Sequence, residues 1–154
     1  MGIIRTIIAL LIPSVALACF GAELKIGVPS GAGLHPYATY AVGYYVEEKT
    51  GIAPLFVEVE KGEAALHSGK IDLWLDIGER DAPEGVEIRP GAEVVVLGKV
   101  AFWLNPEVLD DLRFTTVERA LEHAAVFLTS EHFEENASDE NPKKAARKAV
   151  TESD

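Results

Sequence analysis

Between Glu23 and Ile77 the chain switches back and forth between two hydrophobic periods, and this alternation limits the fold more than any other feature. Leu24–Val28 is a short apolar run that stops at Pro29-Ser30-Gly31-Ala32-Gly33, as a buried strand does before a flexible turn. Pro36 suits the first position of a helix. Tyr37, Ala41, Tyr44, Tyr45 and Glu48 then recur at helical spacing until Gly51 ends the element. Leu55, Val57 and Val59 alternate with Phe56, Glu58 and Glu60, the period of a strand with one wetter face. Gly62–Ser68 reads as a short helix closed by Gly69, and Ile71–Ile77 alternates again. The resulting order, β-α-β-α-β, predicts an α/β domain with parallel strands joined by helical crossovers.

Beyond Ile77 the pattern loosens. Glu79–Gly91 carries Pro83, Gly85, Pro90 and Gly91 among charges and reads as a loop, and Glu93–Leu104 reads as one longer strand broken by Asn105-Pro106. Thr115 and Glu118 have the spacing of a capping box that opens a helix to about Thr129. From Glu131 the chain turns polar, with acids first and Lys143, Lys144, Arg147 and Lys148 later, so 131–154 reads as a frayed helix or a disordered tail. The predicted architecture is an open, mostly parallel α/β sheet flanked by helices, in one domain over 19–130.

The first eighteen residues read as a secretory leader: Arg5, an apolar run from Ile7 to Ile12, Pro13, and the small-residue site Ala16-Leu17-Ala18. The run is shorter than the roughly 20 residues that span a bilayer. Cys19, the single cysteine, would be the first residue after that cut. Two outcomes stay open, ordinary cleavage or a lipid-modified Cys19, with Ala16 where a lipoprotein leader usually has Leu. A single cysteine forms no internal disulfide, so an exported chain of this kind must be held by its core. The expected location is periplasmic or secreted. The formal net charge is −11, one unit more negative without a leader that contains Arg5 and no acid. Such acidity disfavours nucleic acid and anionic membrane surfaces as partners.

Three segments, taken in order, carry a resemblance: Leu24-Lys25-Ile26-Gly27-Val28 with its Gly-rich loop, Gly69-Lys70-Ile71-Asp72-Leu73-Trp74, and Val95–Leu104 followed by Pro106 and an amphipathic helix. Together they resemble the first lobe of the type II periplasmic substrate-binding proteins, nearest to the glycine betaine and choline binders of ABC importers. The resemblance covers about Glu23–Thr129. It implies a protein that captures a small zwitterion or quaternary ammonium without chemistry of its own and that works with a membrane permease. Members of that family are about twice this length, and a second lobe closes on the ligand. The resemblance therefore also implies a separate second lobe, a truncated product or a stand-alone lobe, and a ligand held from one side only. A lobe standing alone is expected to leave Tyr37, Trp103 or their neighbours uncovered, and so to self-associate or to pair with another protein.

In open sheets of this class, ligands sit beyond the carboxyl ends of the strands. Those ends bring forward Ser30, Gly31, Gly33, His35 and Tyr37 at the first loop and helix start, and Asp76 at the end of the Ile71–Ile77 strand. Backbone N–H groups at a helix start favour a carboxylate, although a plain Gly-rich turn accounts for the same residues. Trp74 and Trp103 with Tyr37 would form an aromatic cage, each face contributing about 0.5–2 kcal/mol to holding a cation within ~6 Å. The alternative is that both tryptophans are core. Asp72, Trp74 and Asp76 share one strand face, and Asp76 is nearer the exit.

His35, His67, His123 and His132 have no metal-ligand spacing, and no serine sits in G-x-S-x-G. No metal, cofactor or catalytic residue is therefore expected. Two other readings stand beside the solute-binding one: an exported interaction scaffold with no small-molecule site and, more remotely, a hydro-lyase.

Overall fold

The computed structural model describes residues 21–138 and 140–153. The leader and Cys19 lie outside the described residues. Five strands form one sheet in the order β2-β1-β3-β5-β4, built from β1 (Glu23–Pro29), β2 (Ala53–Val59), β3 (Leu73–Ile77), β4 (Glu87–Val94) and β5 (Gly98–Leu104). The helices are α1 (Leu34–Thr50), α2 (Gly62–His67), α3 (Pro106–Asp110), α4 (Val117–Phe127), α5 (Glu131–Asn136) and α6 (Pro142–Glu152). None of the described helices is long and apolar enough to cross a membrane.

The β-α-β-α-β half folds as its periodicity predicts: β1 pairs in parallel with both β2 and β3. Gly51 takes the left-handed conformation at φ 73° and its N–H donates to the Glu47 carbonyl at 2.7 Å, ending α1. The helix starts two residues earlier than Pro36 suggests, with Gly33 as its N-cap.

The second half departs from the sequence reading. β3 and β5 run antiparallel, as do β5 and β4, so the sheet is mixed rather than mostly parallel. The single strand expected over Glu93–Leu104 is instead the end of the first arm, the turn and the second arm of a hairpin, whose first arm begins at Glu87 inside the expected loop. Pro90 and Gly91 obscured that arm. The strand keeps both because β4 is an edge strand with a register shift between Pro90 and Glu93, which spares proline a ladder bond it cannot make.

The capping box does not form: Thr116 rather than Thr115 caps α4, without a side-chain bond, and Glu118 pairs with Arg89 of β4. The tail expected to fray is instead helical and packed. Ser130 accepts from the Phe133 N–H at 3.3 Å to cap α5, and Asn141 accepts from the Lys144 N–H at 3.0 Å to cap α6. Ala145, Ala146, Ala149 and Val150 of α6 are buried in the main core. Arg147 pairs with Glu47 at 2.8 Å and lies 3.8 Å over the Tyr44 ring, fastening α6 to α1.

The sheet thus has two unlike faces. On one, α1 lies over β1, β2 and β3 with α4 beside it on β4, and α6, backed by α5, covers the outer side of α1, so that α1 is apolar nearly all round. On the other, the short α2 covers a small cluster of Val59, Ala65, Leu66, Ile71, Trp74 and Trp103.

Candidate functional site

The alternation in β3 assigns its side chains to the two faces. Leu73 and Leu75 enter the main core under α1, while Trp74 belongs to the α2 cluster together with Trp103. Antiparallel pairing sets Trp74 directly opposite Trp103, and Asp76 opposite Ala101. Two glycines seat the Trp74 indole. A Cβ on Gly62, at the start of α2, would come within 2.1 Å of the ring, and one on Gly27 of β1 within 3.0 Å. The Lys25-Ile26-Gly27 and Lys61-Gly62 stretches are therefore shaped by an aromatic neighbour far along the chain.

These residues frame a cleft of about 630 Å³ at the strand exits, lined by His35, Gly62, Trp74, Arg80 and Trp103, with Glu60, Lys61, Glu63 and His67 at its helical side. A second groove of about 570 Å³ lies over β4 and β5 and shares Arg80 and Trp103 with the first. His35 reaches from the first turn of α1 to the Leu75 carbonyl at 2.7 Å, and its ring meets Trp74 edge-on at 5.3 Å. Because a carbonyl only accepts, Nε2 is the nitrogen that carries the proton. Burial holds the imidazole below its ordinary pKa, against the opposing pull of that hydrogen bond and of Asp76.

Asp76 is 1 % exposed. Its Oδ1 pairs with Arg80, whose side chain is 62 % exposed. The guanidinium carbon lies 5.3 Å from the Trp103 ring centroid, so one arginine touches both residues. Among the described residues, the buried side-chain polar atoms without a hydrogen-bond partner are Asp76 Oδ2 and Trp103 Nε1. Such atoms each cost about 1–3 kcal/mol when left unpaired, and both belong to residues that Arg80 contacts.

The structure brings together His35, Trp74, Asp76 and Trp103 from the sequence-derived set. It separates Tyr37 from them. Tyr37 is buried in the opposite core, stacked on Phe133 at 4.8 Å, with its hydroxyl donating to the Phe133 carbonyl at 2.7 Å. The three-aromatic cage is therefore not assembled: helical geometry turns Tyr37 towards the main core while His35, two residues earlier, faces the cleft.

Ser30, Gly31 and Gly33 lie in the exposed loop after β1, with Gly31 at φ 104° and Gly33 at φ 121°, and none of them lines the cleft. Tyr37 and Trp103 are both buried, so neither supplies the exposed apolar patch expected of a lone lobe. The strand expected over Ile71–Ile77 begins only at Leu73, and Asp72 just before it has a structural role, accepting from the Lys25 N–H at 2.9 Å.

Sequence reasoning missed Arg80. Its signal was faint: a lone cation four residues beyond Asp76, after Gly78. Among the described residues no group of three or more His, Cys, Asp or Glu is placed to hold a metal ion. No family model, curated protein or solved structure matches the chain.

Proposed function

We propose that this chain is a solute-binding lobe, similar to the first lobe of type II periplasmic binding proteins, and that it receives a small cationic or zwitterionic molecule in the strand-exit cleft. The observation that carries this reading is the meeting of Trp74 and Trp103 beside a buried carboxylate with one unpaired oxygen. Aromatic faces and a desolvated anion are the two elements that recognise an organic cation. The position supports it as well, since ligands of open α/β sheets sit outside the carboxyl ends of the parallel strands. With the leader read at 1–18, the lobe is exported and serves an ABC-type importer, with a permease or a separate second lobe as partner. It performs no chemistry of its own.

Calorimetry against glycine betaine, choline, carnitine and proline tests the reading. At least one of these solutes should give heat, and Trp74→Ala should weaken that binding. A folded sample that gives no heat with any of these solutes, or with simple organic cations, favours the inert-scaffold reading instead.

A further inference from the structure

The feature the solute-binding reading leaves unexplained is Arg80. Asp76 is sealed from water, yet the counter-charge it holds comes from a side chain that is mostly exposed. Arg80 stands on the irregular segment between β3 and β4, just past Gly78 at φ 112°. It lines both the cleft and the neighbouring groove, and so stands between them. A long exposed side chain leaves such a position at little cost in packing, because most of its surface already faces solvent. Its planar guanidinium, pressed near the Trp103 face and bonded to Asp76 Oδ1, has the chemistry of a ligand cation.

Resting on the reading that the cleft binds a solute, we infer that Arg80 is the resident occupant of a cation subsite made by Asp76 and Trp103, and that the solute displaces it with a guanidinium or primary ammonium group of its own. The unpaired atoms choose between kinds of cation. Asp76 Oδ2 needs a donor and Trp103 Nε1 needs an acceptor. A quaternary ammonium offers no N–H and leaves Oδ2 unsatisfied. A guanidino or primary amino compound that also carries a hydroxyl or carboxylate supplies both. Once Arg80 is displaced, the cleft carries Glu60 and Glu63 against Lys61, in a chain of net charge −11, a balance that favours the approach of a cation over an anion.

Both tryptophans of the chain lie in this cluster, so indole emission reports on the subsite directly. Emission is titrated with methylguanidinium chloride and, separately, with tetramethylammonium chloride, in the full chain and in Arg80→Ala and Arg80→Lys. If Arg80 fills the subsite for nine-tenths of the time, removing it tightens methylguanidinium binding about tenfold. Arg80→Lys, which keeps a charge but loses the planar fork, should fall between the two, and tetramethylammonium should gain less than methylguanidinium. Adding Asp76→Asn to Arg80→Ala should abolish the gain, with circular dichroism confirming the fold of each variant.

Unchanged or weaker methylguanidinium binding in Arg80→Ala overturns the displacement idea, and so does an equal gain for tetramethylammonium. In either case a solute that still binds the parent chain leaves the solute-binding reading standing. If no cation or zwitterion moves the emission of the parent or of Arg80→Ala, both readings fall together.

Discussion

Beneath α1, α4 and α6 the sheet buries Tyr37, Phe102, Leu121 and Phe133, and the one hydroxyl among them is paired, Tyr37 with the Phe133 carbonyl. Beneath α2, Trp74, Trp103 and Asp76 are buried to a similar degree, yet two of their polar atoms have no partner and a charged arginine closes the gap from outside. The same five strands therefore support one face organised for stability and another organised around unmet polar demand. Unsatisfied buried groups weaken a fold. Among the described residues the buried side-chain polar atoms without a partner are confined to this one small face, as the proposed cation site requires.

The comparison is broken most forcefully from the stable face. Phe133→Ala removes the ring that stacks on Tyr37 and leaves a cavity in the main core. It should cost about 3–5 kcal/mol in urea unfolding, and wherever the protein still folds, tryptophan emission should be that of the parent. Gly62→Ala probes the other face, because its Cβ would press on the Trp74 indole. The expected loss is about 1–3 kcal/mol, here accompanied by a shift in emission as the indole moves. Equal emission in the two variants would erase the distinction between the faces.

Two smaller effects sharpen it. Asn141→Ala removes the side-chain cap of α6 and should lower stability by about 1 kcal/mol, read from the urea midpoint, without altering any response of the cleft. His35 makes the cleft face sensitive to acid. Burial lowers its folded-state pKa below the unfolded value, so the stability it lends is complete above about pH 6.5 and is lost as the pH falls through the folded-state pKa. Urea midpoints measured downward from pH 7 should decline less steeply in His35→Gln than in the parent. Parallel slopes would show that His35 is not buried as a neutral ring.

What the sequence made legible was whatever local period and turn chemistry decide. The strand-helix order to Ile77, the αL stop at Gly51 and the two faces of β3 were all readable, because spacing of 2 or 3.6 residues marks burial directly. The β4–β5 hairpin was not, because Pro90 and Gly91 are loop residues everywhere except at an edge bulge. The packing of α6 was hidden as well: its buried stripe is Ala145, Ala146, Ala149 and Val150, too weakly apolar to stand out among lysines.

In the site, Trp74, Trp103, Asp76 and His35 could be nominated because strand exits and helix starts are legible positions. Whether Tyr37 joined them depended on which face of α1 met the sheet. Arg80 could not be placed at all, since nothing in an irregular segment fixes where a long cation reaches.

The bond between Arg147 and Glu47 spans 100 residues of sequence. The helix that lies over the sheet is thus made long before the helix that shields it. A nascent chain that has reached β5 has all five strands and α1 but lacks α4, α5 and α6, so Tyr44 is without Arg147 and Tyr45 without Phe127. The main core cannot close until α6 has been made, and through that interval the growing chain carries α1 uncovered and open to whatever binds it first.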